Sequence, residues 1–317
     1  MSEVRYCYIC SAARSGSTFC DMLLGGHSQL ASLGEFSFLG KDIALDELCG
    51  CGTPVKECSE WAKVIDRVYQ EKSLELRQQP YALPLWDTKA RRNVDFQQQT
   101  PQYLLIRKLR SLWMRMRFYM PTQVARHTPI PAKLRQGISN TLYLYDIVRD
   151  EWNSQIVVDS SKQAYQALSL YEKCGSSMRI ILLTRDGRGV YLSRRSKGIS
   201  RQLSVGKWKH YYLHALPLLR RYIHPDHIYM LKYEDLASQP ETTLRRLCQF
   251  LEINFEKHML DLAAGSRHIV NGNYNAKMNR NSRGIQLDER WKLDLTGDEL
   301  AYFMRHGGTL NRQLGYN

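Results

Sequence analysis

Arg14-Ser15-Gly16-Ser17-Thr18 gathers a guanidinium, three hydroxyls and a glycine into five residues, between a β-favouring run and an apolar-rich segment of helical character. A strand, a tight Gly/Ser loop and a helix N-terminus turn free backbone N–H groups and the positive end of a helix dipole toward one point. Such a point binds phosphate or sulfate. Gly16 lets the backbone approach, the hydroxyls donate, and Arg14 adds a fixed charge with two donors. The nucleoside-triphosphate loop G-x-x-x-x-G-K-[ST] does not fit, because its first glycine is missing and Ser17 stands where the phosphate-reaching lysine belongs. The Rossmann pattern G-x-G-x-x-G is absent from this turn as well. Taken alone, the stretch reads equally well as an ordinary turn with a capping serine.

A second basic turn shifts that balance. In RIILLTRDGRGVYLSRRS, residues 179–196, an apolar run ends in Arg185-Asp-Gly-Arg-Gly and enters a helical pattern, with Ser193 eight residues after Arg185. Eight residues are about two helical turns, so both side chains can reach one phosphate from two sides. Solvated arginines in a surface turn are the plainer alternative. Two anion cradles at two strand ends are hard to explain that way, because strand C-termini are where α/β sheets bind ligands.

The elements that must position these turns are four β-like runs: VRYCYIC (4–10), IVVD (156–159), RIILLT (179–184) and IYMLKY (228–233). Each leads through polar or glycine-containing residues into a helical pattern, the order of βα units with a parallel sheet. The fold class is therefore α/β. The long stretch between the first two runs has little strand character. In it, Leu105, Leu109, Leu112, Met116 and Tyr119 recur at helical spacing, with Arg107, Arg110 and Arg117 on the other side. The favoured reading is a helix packed on the core with a solvated basic face; contact with a membrane or an acidic acceptor is the alternative. Two prolines in HTPIPAK (127–133) then break it. Ser238-Gln-Pro-Glu241 and Thr296-Gly-Asp-Glu299 read as helix starts, and Gly307-Gly308 as a helix stop.

Composition bounds the function classes. With 43% hydrophobic and 10% aromatic residues the chain of 317 is globular, not disordered. Forty-five Lys and Arg against 31 Asp and Glu give a formal +14, which predicts an anionic partner: nucleic acid, a membrane surface or a phosphorylated cofactor. No stretch reaches the ~18 apolar residues needed to span a bilayer, and no basic-then-apolar leader opens the chain. A soluble, cytoplasmic protein is expected. The eight cysteines are irregularly spread, which fits a reduced compartment. The exception is CGCGTPVKEC, where Cys49, Cys51 and Cys58 crowd one loop. Three thiols can take zinc with a fourth ligand from elsewhere, but the spacing is not that of paired Cys-x-x-Cys knuckles. The favoured reading is a reduced loop, with no metal ligand assigned and a disulfide or metal site left open.

Together these motifs resemble the sulfotransferases that use 3′-phosphoadenosine 5′-phosphosulfate (PAPS). SAARSGSTFCDMLL resembles their 5′-phosphosulfate loop, and LLTRDGRGVYLSRRS their 3′-phosphate motif, with the Arg-to-Ser spacing preserved. VVDSSK (157–162), LKYEDLASQPETTLRRLCQFLEI (231–253) and HIVNGNYNAKMNRN (268–281) resemble later blocks in the expected order. The loop pattern is closest to the carbohydrate, tyrosyl-protein and bacterial branches rather than the steroid and phenol branch with its loop lysine. The Cys49 loop is also similar to one in bacterial members. The resemblance implies a P-loop-like parallel sheet flanked by helices over residues 1–317 as one domain, with a helical insertion at about 60–150. It implies PAPS as donor, an acceptor hydroxyl or amine, and no required metal.

Carried onto this chain, the backbone of Arg14, Ser15, Gly16, Ser17 and Thr18 holds the 5′-phosphosulfate. Arg185 and Ser193 hold the 3′-phosphate, and Tyr233, Gly272 and Asn273 face the far side of the nucleotide. Glu35, in LASLGEFSFLG, matches the Gly-Glu whose carboxylate serves as general base in similar members; a surface Glu in a turn is the plain alternative. The apolar neighbours Phe36 and Phe38 are expected to strengthen it as a base. His27 is the rival base, or only a helix cap. Lys162 would neutralise charge at the bridging oxygen, Arg14 at the leaving group, and Asp159 would orient the Lys162 loop. The acceptor is expected to be a small molecule or carbohydrate, with no nucleic-acid partner and peripheral membrane contact left open. The competing readings are a nucleotide-dependent phosphoryl-transfer enzyme and a non-enzymatic basic binder of nucleic acid or membrane surfaces, the latter sensitive to salt.

Overall fold

Residues of the first β-favouring run form β1 (Tyr6–Ser11), all six of them buried. Alternation sends Tyr6, Tyr8 and Cys10 into one apolar layer and Cys7 and Ile9 into the other. A strand buried on both faces belongs inside a parallel sheet covered by helices on both sides. A computed structural model, describing residues 3–86, 100–262, 267–272 and 285–317, puts it there. The five-stranded sheet runs β2 (Leu30–Ser32), β3 (Ile156–Asp159), β1, β4 (Met178–Thr184), β5 (Ile228–Lys232), and every pairing is parallel. Tyr8 pairs with Asp159 and Ser11 with Leu183, which brings the C-terminal ends of β1, β3 and β4 to one edge.

Along the chain, α1 (Ser17–Leu24) and α2 (Leu39–Ala44) precede four further helices: α3 (Ser59–Lys72), α4 (Pro101–Tyr119), α5 (Thr122–His127) and α6 (Ala132–Glu151). Then come α7 (Ala164–Cys174) after β3, α8 (Gly187–Arg195) and α9 (Arg201–Tyr222) after β4, and α10 (Tyr233–Ser238) and α11 (Pro240–Phe250) after β5. A C-terminal helix spans Gly297–Gln313. α1, α10 and α11 pack on the face of Cys7 and Ile9; α6, α7 and α9 pack on the face of Tyr8. No helix among the described residues is long and apolar enough to cross a membrane.

The four expected strands are all present, and β2 is the addition. Three residues are too few to show an alternation, so Leu30–Ser32 is a strand only because β3 pairs with it and all three residues are buried.

Four expectations are overturned. The apolar stripe of α4 faces outward: Leu105, Leu109, Leu112, Met116 and Tyr119 are about half exposed, while Met114, Arg117 and Phe118 are the buried residues. Phe118 stacks with Tyr165 and meets Tyr222 edge-on, and buried Arg117 ion-pairs with Glu172 at 3.0 Å. Periodicity locates a stripe but not its neighbour, and here the neighbours α7 and α9 take a different face. α4 ends ahead of Pro121, so α5 separates it from the prolines at 129 and 131. Ser238 does not cap α11; it ends α10 and donates to the Glu234 carbonyl, leaving Gln239 at the N-cap and Pro240 in the first turn. Gly307 and Gly308 do not stop the last helix but lie buried within it, Gly307 against Phe303. Thr296 and Glu299 do form the expected capping box.

Candidate active site

After β1 the chain turns through residues 12–16 into α1. Arg14 and Gly16 hold left-handed backbone angles, with φ of 76° and 90°. At Gly16 a Cβ would also lie 2.5 Å from the Tyr233 ring, so glycine is required twice over. Gly16 is the N-cap of α1, and no side chain caps the first turn of the helix there. The loop is held from behind by Tyr212 of α9. Its hydroxyl donates to the Leu183 carbonyl at 2.8 Å, accepts from the Ala12 N–H at 3.4 Å and lies 3.1 Å from Ser15 Oγ.

Three guanidiniums surround this loop. Arg14 Nε donates to Ser193 Oγ at 2.8 Å, Arg185 to the Arg14 carbonyl at 3.3 Å, and Arg194 to the Ala13 carbonyl at 3.4 Å. The two basic turns found in the sequence therefore form one site. Arg185 also ion-pairs with Asp288 at 2.9 Å and lies 4.4 Å above the Tyr233 ring. Arg290 shares Asp288, and the two guanidiniums, Arg290 foremost, hold that carboxyl well below the usual carboxylate range. Burial, and then the neighbouring cations, push Arg14 and Arg194 below the usual arginine range. Among the described residues neither has an ion-paired carboxylate, and Arg194 Nε has no hydrogen-bond partner. Buried positive charge without compensation is costly, and an anion in the loop offsets that cost.

On the other half of the edge, the turns after β2 and β3 join. The Ser160 N–H donates to the Gly34 carbonyl at 2.8 Å, and Glu35 and Lys162 meet in an ion pair, each side chain 14% exposed. Lys162 adopts a φ of 69°, and its carbonyl accepts from Tyr211 at 2.7 Å. Asp159 accepts from the Ser161 N–H at 2.6 Å and from Tyr145, fixing the turn. Beneath it Asp21 of α1 accepts from Ser32 at 2.6 Å and from Ser160; burial raises its carboxyl to about 7 against the pull of these donors. Instead of the expected apolar wall, Glu35 meets a cation. Phe36 points into the core, 5.3 Å from Tyr145 and 6.1 Å from Trp61.

With this geometry in view, the comparisons with known proteins are direct. A family model described as "Sulfotransferase family" matches residues 7–257, most of the chain and all five strands. The chain belongs to the sulfotransferase family. The sulfotransferase domain from the olefin synthase of Synechococcus PCC 7002 is 18% identical, with a TM-score of 0.55, over 100% of this chain and 97% of that one. The sulfotransferase domain from the curacin biosynthetic pathway is also 18% identical, with a TM-score of 0.52, over 100% and 99%. At that identity the likeness is one of fold. No curated protein matches the chain significantly.

In this sulfotransferase, Arg14, Ser15, Gly16, Ser17, Thr18, Arg185, Ser193 and Tyr233 converge on one loop, and Glu35 and Lys162 on its neighbour. Gly272, with a φ of 91°, lies two residues beyond Val270, which bridges to Gly34. Asn273 lies outside the described residues. His27 is not brought to the site: it precedes β2, at the opposite edge of the sheet from Glu35. Its ring accepts from the Gln29 N–H at 3.0 Å and lies 2.7 Å from the Asn254 carbonyl, which is a structural role. Several site residues were not legible from motifs. Tyr211 and Tyr212 carry no spacing signal, Asp288 stands 103 residues from Arg185, and Arg194 reads as one more basic residue in a basic run.

Proposed function

We propose that this sulfotransferase moves a sulfuryl group from PAPS to a hydroxyl or amine of a small-molecule or carbohydrate acceptor. The observation that carries the reading is the guanidinium cluster of Arg14 and Arg194, neither of them ion-paired among the described residues, against a glycine-capped helix N-terminus and linked through Ser193 and Arg185 to the second basic turn. This donor set suits a doubly anionic nucleotide. PAPS supplies an electrophilic sulfuryl group on a stable phosphate leaving group. Arg14 and the N–H groups of residues 14–18 hold the 5′-phosphosulfate and stabilise the charge that develops on the leaving oxygen. Arg185 and Ser193 hold the 3′-phosphate, with Tyr233, Gly272 and Asn273 on the nucleotide's far side.

Glu35 accepts the proton of the acceptor hydroxyl as the new O–S bond forms and the S–O bond to phosphate breaks. Lys162 shares its charge between two tasks. Paired with Glu35 it holds the carboxylate in place; drawn toward an anion in the loop, it neutralises the bridging oxygen and frees Glu35 to meet the acceptor. Tyr211 and Tyr212, adjacent on α9, hold the Lys162 turn and the anion loop at fixed separation, a positioning role.

Calorimetric titration with adenosine 3′,5′-bisphosphate, adenosine 5′-monophosphate and ATP–Mg²⁺ tests the reading. Metal-independent binding of the bisphosphate, about tenfold or more tighter than the monophosphate, is expected from charge-assisted bonds to a 3′-phosphate. Tighter binding of ATP–Mg²⁺ would overturn it in favour of phosphoryl transfer.

A further inference from the structure

Away from the anion loop, the fold brings a fourth ligand to the cysteine-rich turn. His268 lies 210 residues beyond Cys58, yet its Nδ1 is 3.1 Å from Cys58 Sγ and 4.0 Å from Cys49 Sγ, and Cys51 Sγ is 3.6 Å from Cys58 Sγ. All four ligand atoms lie within 4.8 Å of one another. In a tetrahedral zinc centre, Zn–S bonds of about 2.3 Å and a Zn–N bond of about 2.0 Å separate neighbouring ligand atoms by about 3.5–3.8 Å. The cluster spans that range. Its chemistry is equally selective, because three thiols and an imidazole, with no carboxylate among them, suit zinc rather than magnesium or calcium.

The alternatives explain less. Buried thiols acting only as small apolar groups have no need of a ring nitrogen among them. A disulfide uses two sulfurs and leaves the third thiol and the imidazole unaccounted for, and all eight cysteines here are free thiols.

The surrounding backbone is built to hold these ligands. Leu48 and Pro54 bridge antiparallel, the Cys49 N–H donates to the Thr53 carbonyl at 2.8 Å, and Gly52 turns the chain at a φ of 97°. Gly50 donates to the Ile269 carbonyl at 3.0 Å, and a Cβ on it would lie 2.2 Å from the Arg267 carbonyl oxygen, so only glycine allows the two segments to meet. On the other side of His268, Trp61 Nε1 donates to its carbonyl at 2.8 Å and Trp152 packs edge-on against its ring. These contacts fix the backbone of His268 and pack its ring.

We propose that Cys49, Cys51, Cys58 and His268 form a structural zinc site, closed by four protein ligands, that fastens segment 267–272 to the loop over residues 47–58. The fastened segment borders the candidate base. Val270 donates to the Leu33 carbonyl at 2.8 Å and accepts from the Glu35 N–H at 3.1 Å, so the zinc site holds in place the backbone against which Glu35 is set. The zinc would take no part in transfer.

Metal content of the full chain, purified without a metal-affinity tag or chelator, decides the matter. Inductively coupled plasma mass spectrometry is expected to find about one zinc per chain, released in step with mercurial titration of the thiols. Cys58→Ser and His268→Ala should each lower zinc content about tenfold, and His268→Cys, which restores four ligands, should keep about one zinc per chain. Reconstitution of the metal-free wild type with cobalt should give thiolate charge transfer and tetrahedral visible bands, a readout independent of any variant's folding. A wild type that carries no zinc and binds no cobalt, or one whose intact mass shows a disulfide, would overturn the inference. Zinc content is measured without nucleotide. Absent zinc with intact bisphosphate binding thus fails this inference alone, and bound zinc without bisphosphate binding fails the proposed function alone.

Discussion

The turns after β1 and β4 and the turns after β2 and β3 lie side by side on one sheet edge, but the first carry surplus positive charge and the second a balanced ion pair. Around the first pair, burial and then neighbouring guanidiniums push Arg14 (Arg185, Arg290) and Arg194 (Arg14) below the usual arginine range, and among the described residues no carboxylate is ion-paired with either. Around the second pair, Glu35 and Lys162 satisfy one another. A region with surplus buried charge is completed by something from outside, whereas a region that is internally balanced does its work when that balance is disturbed. The first is therefore suited to binding and the second to proton and charge transfer.

The comparison breaks most visibly at Glu35. Glu35→Gln, measured by steady-state transfer of labelled sulfate, is expected to lower kcat by about 10²–10⁴ while leaving bisphosphate affinity within a few-fold. Lys162→Ala should likewise reduce turnover far more than donor binding; equal losses of both would show that Lys162 belongs to the binding half. Arg185→Ala lies across the divide. Loss of one charge-assisted contact of about 1.5–3 kcal/mol predicts bisphosphate affinity about 10- to 100-fold weaker in calorimetry, with monophosphate affinity unchanged. An equal loss for both nucleotides would remove Arg185 from the 3′-phosphate.

Smaller effects sharpen the picture. Gly16→Ala forces a left-handed residue with a Cβ 2.5 Å from the Tyr233 ring, and a loss of about 1–3 kcal/mol in urea unfolding is expected. Asp21, buried beneath the Glu35–Lys162 turn, keeps its proton up to about pH 7 in the folded state, whereas an unfolded aspartate loses it near the ordinary value of 3.8. Over that window the folded state binds the extra proton, so this group's contribution to stability falls as pH rises, by at most about 1.4 kcal/mol per pH unit. Asp21→Asn should flatten the wild-type slope across that interval; an unchanged slope would mean that Asp21 is ionised in the fold.

Much of this was legible without coordinates, and particular residues show why. β1, β3 and β4 announce themselves because a strand buried on both faces must be continuously apolar. The anion loop announces itself because close backbone approach calls for glycine and hydroxyls in sequence. β2 was silent because three residues carry no period, and α4 misled because its stripe of leucines faces outward while Arg117 turns inward.

The sequence by itself determined the α/β class, the two basic turns, the order of the strands along the chain and the residue types able to hold an anion or move a proton. These are local properties, set by periodicity, by turn chemistry and by spacing within a few residues. Only the tertiary structure decided that Arg14 meets Ser193, that Glu35 meets Lys162, that His27 stays at the far edge, and that His268 joins three cysteines from the opposite end of the chain. Each of those depends on contacts between residues distant in sequence, made only when the chain folds around its parallel sheet, and no local pattern records it.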